Sequence, residues 1–134
     1  PRIAVLGVGC RRGIGQQAME EAFAALLAQS GLCAEAFYKV CSIDLKRDEP
    51  GLRAFCAAHG FAFETFSAAQ LAAVEGRFSS SGFVQSVTGV DNVCERSAVL
   101  GSGGTLYCKK QAGGGVTMAA AMAPFAPDWR WQDE

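Results

Sequence analysis

The stretch "RIAVLGVGCRRGIG", residues 2–15, runs from apolar residues into glycines and then into two adjacent arginines. Its first part, "RIAVLGV" (2–8), is a continuous apolar run that stops at glycine, the pattern of a strand buried on both faces. From Gly15, "GQQAMEEAFAALLAQSG" repeats apolar residues at helical spacing. Ala18, Ala22 and Leu26 form one line, Met19, Phe23 and Leu27 the next, and the pattern stops at Gly31. A buried strand, a glycine turn and a helix are the opening of a parallel βαβ unit, which sets the expectation for the rest of the chain.

The alternation continues. "FYKVCSI" (37–43) reads as a second strand, and "LRAFCAAHG" as a short helix with Pro50 in its first turn and Asp48 as the expected N-cap. "FAFETF" (61–66) alternates as a strand, and "SAAQ" (67–70) is a capping box that opens another helix. The serine-rich segment 76–89 reads either as a mobile loop or as a loop plus one short strand at 83–87. "NVCE" (92–95) is a second capping box and opens the helix "VCERSAVLGS". "TLYCKK" and "VTMAAAM" read as two strands joined through "QAGGG", so the last strand should run antiparallel to its neighbour. The tail at 124–134 reads as a surface extension. The expected fold is α/β: a three-layer α/β/α sandwich around a mostly parallel mixed sheet with an antiparallel C-terminal strand, in one domain spanning 1–134.

Composition narrows the function classes. With 134 residues, half of them hydrophobic, the chain can bury a core without staples. Six cysteines, Cys10, Cys33, Cys41, Cys56, Cys94 and Cys108, lie mostly inside apolar runs, with no C-x-x-C pair and no charged-then-apolar leader. They read as free thiols of a cytoplasmic protein rather than as a disulfide framework. The one histidine, His59, has no cysteine at ligand spacing, so no metal site is expected. No apolar run approaches the roughly 18 residues of a membrane span. A net charge of −1 argues against general nucleic-acid binding.

In a sheet of this kind the loops that leave the parallel strands emerge at one carboxyl edge, where ligands bind. That edge is expected to gather Gly7 to Gly13, Asp44 to Glu49, Ser67, Gly89 to Asn92 and Lys109 to Gly115. Six of the twelve Lys and Arg residues fall there: Arg11, Arg12, Lys46, Arg47, Lys109 and Lys110. Four helix N-termini converge on the same edge, each with unpaired amides and a partial positive charge of roughly half a unit. Arginines at a helix start oppose that dipole, which makes sense when an anion lies between them. The alternative is that they are solvated or paired with Asp44, Asp48 or Glu49. A dinucleotide is the lesser candidate for the anion: Gly7 and Gly9 fit the G-x-G-x-x-G fingerprint, but the third glycine, Gly13, comes one place late and Asp44 lies far downstream.

Five stretches in order, "GVGCRRG", "SIDLKRDEPGL", "SAAQL", "TGVDNVCERSAVL" and the closing "KK" with "VTMAAA", resemble the CobE family of cobalamin biosynthesis proteins. The same module forms the C-terminal domain of CbiG. The resemblance runs from Ile3 to about Ala123. It implies a role in corrin ring synthesis; multidomain CbiG proteins act as cobalt-precorrin-5A hydrolases, opening a ring lactone and releasing acetaldehyde during ring contraction. It also offers a ligand for the basic edge, a precorrin or corrinoid rimmed with acetate and propionate carboxylates, and partners among the other pathway enzymes. No cofactor is expected.

On that basis the expected substrate-binding set is Gly7, Gly9, Cys10, Arg11, Arg12, Ser42, Asp44, Lys46, Ser67, Gly89, Val90 and Lys109. Candidate catalytic groups are Lys46, as proton donor or carboxylate clamp, Glu49 and Glu95, as acid or base, and Cys10. Each has a plainer reading: Lys46 solvated, Glu49 complementing a helix N-terminus, Glu95 in its capping box, Ser42 and Ser67 as strand-end and cap residues. Cys10 beside two arginines at a helix start is in a setting that lowers a thiol pKa, but no histidine partner is evident. The residues leave an enzyme, a carrier and an interaction module all open.

Overall fold

The computed structural model of the chain describes residues 4–74 and 93–123. In chain order the elements are β1 (Ala4–Cys10), α1 (Gln16–Ser30), β2 (Phe37–Ile43), α2 (Pro50–His59), β3 (Ala62–Phe66), α3 (Ala68–Ala72), α4 (Val93–Ser102), β4 (Thr105–Gly113) and β5 (Val116–Met122). The sheet order is β3-β2-β1-β5-β4. β1, β2 and β3 are parallel, and β5 pairs antiparallel with both β1 and β4. The single reversed strand is therefore the C-terminal one, as expected. The segment 76–89, its suggested strand at 83–87, and the tail 124–134 lie outside the described residues.

Both faces of the sheet are covered, which is why β1 reads as an unbroken apolar run: Ala4 to Val8 are all buried. On one face Leu6, Val8, Val40, Met118 and Ala120 pack with Met19, Phe23 and Leu26 of α1 and Leu52 and Phe55 of α2. On the other, Val5, Cys41, Ile43 and Phe66 pack with Leu71 of α3 and Val93 of α4. The chain runs outward from β1 to β3 and then returns to the far side of β1 by way of α3 and α4. The carboxyl end of β1 is thus the point where strand order reverses, the position that α/β sheets use for ligands.

Local sequence accounts for the element ends. Gly31 and Gly60 adopt left-handed conformations and close α1 and α2, the Gly31 amide donating to Leu27. Ser67 and Gln70 form the reciprocal capping box of α3. Three boundaries differ from expectation. The N-cap of α2 is Glu49 rather than Asp48, because Pro50 takes the first helical position. β4 continues through Gln111 to Gly113, and only Gly114 and Gly115, with φ of 62° and 84°, make the turn, a tight hairpin connection that needs positive φ twice. β1 continues to Cys10, which places Gly7 and Gly9 inside the strand. His59 stacks on Phe61 at 5.1 Å, and its Nε2 lies 2.7 Å from Glu20, tying α2 to α1.

Candidate functional site: the carboxyl edge of the sheet

The edge is built around the turn that follows Cys10. The Arg11 amide donates to the Gly115 carbonyl of the hairpin at 3.0 Å, and the Gly13 amide donates to Glu49 Oε1 at 3.0 Å. Gly13 has φ 81°, a conformation that favours glycine. Gly51, in the first turn of α2, packs directly on the Ile14 carbonyl and Gly15. The turn is therefore held from the hairpin on one side and from α2 on the other. Next to it, Asp44–Lys46 forms a 3-10 turn after β2, and the Arg53 guanidinium donates to the Arg47 carbonyl at 3.0 Å.

These two turns carry basic side chains that have no carboxylate partner among the described residues. The ion pairs among the described residues are Lys39–Glu64 and His59–Glu20. Arg11, Arg12, Lys46 and Arg47 take part in neither, and Arg11, Arg12 and Arg47 are exposed. The suggested pairing with Asp44, Asp48 or Glu49 is not formed; the Glu49 carboxylate is used on the Gly13 amide instead. Lys46 and Glu49 both lie near enough to Cys10 to act on its thiol electrostatically. The net effect on Cys10 is opposite to expectation. Burial pushes its pKa up to about 11, Lys46 lowers it only in part, and Glu49 adds to the rise. A protonated thiol is a poor nucleophile.

Several expected ligand residues are occupied elsewhere. A side chain on Gly7 would run into the Cys94 carbonyl and reach within 2.8 Å of the Ala98 nitrogen, so this glycine lets α4 lie directly on β1. At Gly9 a Cβ would lie 2.7 Å from Thr117 Oγ1, which donates to the Gly9 carbonyl. Neither glycine belongs to an anion-binding turn, and the dinucleotide fingerprint loses its first two positions. Ser42 is fully buried and donates to the Val8 carbonyl at 2.6 Å. Ser67 Oγ accepts the Gln70 amide. Glu95 is fully buried and its Oε2 accepts the Lys110 amide at 2.7 Å, joining α4 to β4.

Lys109 is also displaced from the edge. The strand ends align as Cys10 with Val116 and Val116 with Gly113, whereas Cys108 pairs with Ala120, level with Leu6. At roughly 3.4 Å per residue, Lys109 sits some 13 Å from the edge, on the outermost strand. β4 runs on past "TLYCKK" to Gly113, which sets Lys109 back from the strand end. Asp44 and Lys46 do lie at the edge; Gly89 and Val90 lie outside the described residues. Sequence reading missed Arg96, whose guanidinium donates to the Leu71 and Val74 carbonyls and closes the end of α3. Partners more than 20 positions away leave no local signal.

The family described as "Cobalamin synthesis G C-terminus" matches residues 4–121. The chain belongs to this family. It is 31% identical over 126 residues to the cobalt-precorrin-5A hydrolase of Priestia megaterium, covering 93% of this chain and 33% of that protein. It is 33% identical over 123 residues to the cobalt-precorrin-5A hydrolase of Salmonella typhimurium (strain LT2), covering 92% of this chain and 35% of that protein. The chain thus spans about a third of the length of these relatives. Among solved structures it superposes on CobE, a protein from the cobalamin biosynthetic pathway, with a TM-score of 0.86 at 28% identity over 95% of this chain and 94% of that one. The cobalamin biosynthesis protein chiG from Agrobacterium tumefaciens shares the fold at a TM-score of 0.70 and 23% identity, over 92% of this chain and 100% of that one.

For a cobalamin-synthesis domain the edge offers a defined chemistry. Its described residues supply cations without a described carboxylate partner, and no histidine. No group of three or more His, Cys, Asp or Glu among them could hold a metal ion. No helix among them is long and apolar enough to cross a membrane.

Proposed function

We propose that this cobalamin-family domain binds a carboxylate-rich precorrin or corrin intermediate at the carboxyl edge of its sheet, in the steps around lactone opening and ring contraction. The observation that carries this reading is the placement of Arg11, Arg12, Lys46 and Arg47, without carboxylate partners among the described residues, on the two turns at the strand-order reversal beside β1. A carboxylate removed from water is stabilised by such cations and by the amides of helix starts, and several spaced cations suit a ring bearing several carboxylates. The hydrolase relatives, whose names specify a cobalt-precorrin-5A substrate, support that choice of ligand.

Within this reading Lys46 clamps a carboxylate or donates a proton, Glu49 fixes the glycine turn, and Cys10, Ser42 and Glu95 are structural. Burial raises the pKa of the Cys10 thiol, which disfavours it as the nucleophile of a lactone hydrolysis by this domain. A carrier that hands the intermediate to other pathway enzymes would need the same cations. Co-expression with the upstream pathway tests both readings. The purified protein should carry a coloured tetrapyrrole, turnover of that pigment identifies an enzyme, and unchanged transfer to a second protein identifies a carrier. Recovery of colourless protein that also fails to bind added corrinoid would remove the reading.

A further inference from the structure

Leu45 is 66% exposed at this edge. Among the described residues the other large hydrophobic side chain left in water is Tyr107, on the outer strand β4. Leu45 occupies the middle of the Asp44–Lys46 turn. The backbone there is fixed: the Arg47 amide donates to the Asp44 carbonyl at 3.1 Å and the Glu49 amide to the Lys46 carbonyl at 3.2 Å. Its exposure is therefore a property of an ordered turn and not of a frayed end. Ile43, two residues earlier, is buried in the core, which anchors the start of the turn. Lys46 and Arg47 follow Leu45 directly, and the Arg11–Gly13 turn is joined to the same segment through Glu49.

A single exposed leucine carries little information on most surfaces. Here it stands among cations with no carboxylate partner among the described residues, where a small anion would have no use for it. A tetrapyrrole differs from an acyclic polycarboxylate in one respect: between its rim carboxylates lies a broad apolar ring face. We propose that Leu45 packs on that face and gives the edge its preference for macrocyclic over acyclic polycarboxylates. This rests on the edge being the corrinoid site.

The test compares two ligands, uroporphyrin, a fluorescent tetrapyrrole rimmed with carboxylates, and butane-1,2,3,4-tetracarboxylate, an acyclic polycarboxylate without a ring face. They are titrated into the unmodified protein, Leu45→Ala, Leu45→Met and the Arg11→Ala/Arg12→Ala double variant, with circular dichroism confirming the fold of each. Leu45→Ala should weaken uroporphyrin roughly tenfold, the effect of losing about half of a leucine's burial, while leaving the butanetetracarboxylate unchanged. Leu45→Met should restore uroporphyrin, and the arginine variant should weaken both ligands. Unchanged uroporphyrin affinity in Leu45→Ala, or an equal loss of both ligands, overturns the role of Leu45 and leaves the cationic site standing. Failure of the unmodified protein to bind uroporphyrin removes the corrinoid site and this proposal with it.

Discussion

At Cys10 two neighbouring influences compete, and burial decides between them. The arginine-flanked position suggests a lowered pKa, yet the thiol is pushed up to about 11. In a Cys33→Ser background, which removes the exposed thiol, alkylation at Cys10 should be slow at neutral pH. Its rate should climb about tenfold per pH unit until near pH 11, because only the thiolate reacts. Fast labelling at pH 7 would contradict the assignment. Burial likewise raises Cys41, Cys56 and Cys94 to about 12, against an ordinary value of 9.0. The folded state holds these protons more tightly than the unfolded chain does. Their contribution to stability is full below pH 9 and is lost as pH rises through 11 to 12. Thermal melting should accordingly decline above pH 9, and less steeply in Cys41→Ala than in the unmodified protein.

At the level of elements, the contact of α4 with β1 depends on glycine. Gly7→Ala places a methyl group against the backbone of α4, which cannot swing away, and should cost about 1–3 kcal/mol in urea denaturation. Gly9→Ala meets the Thr117 hydroxyl, which can rotate, and should cost less. Ser67→Ala removes the N-cap of α3 and should cost about 1 kcal/mol while leaving ligand affinity unchanged, because its hydroxyl already serves the Gln70 amide. The capping box was legible because its partners are three residues apart. The role of Gly7 was not, since a glycine that admits a helix and a glycine that turns the chain look alike until the strand end is known. The same holds for Lys109, whose place followed from where β4 ended.

For the whole molecule, the proposed site is the product of topology, and its energetics should be electrostatic. Arg11→Ala/Arg12→Ala should weaken corrinoid binding while changing stability by under about 0.5 kcal/mol, as befits exposed positions. Affinity of the unmodified protein should fall as salt rises, because screening acts over about 10 Å at 0.1 M salt. Lys46→Ala should share the loss, and Lys109→Ala should not, being set back along the outermost strand. Absorbance titration at two salt concentrations checks all three. By itself the sequence determined the elements and the mixed sheet, because apolar periodicity, glycine stops and caps act within a few residues of one another. It also placed Arg11, Arg12, Lys46 and Arg47 on loops at the carboxyl edge. Only the tertiary structure decided which edge residues are free to act. That Ser42 is bonded to Val8, Glu95 to Lys110 and Glu49 to Gly13, while the four cations keep no carboxylate partner among the described residues, depends on groups brought together from distant parts of the chain. Long-range packing sets burial and hydrogen bonding, and these in turn determine whether a polar side chain holds the fold together or meets a ligand.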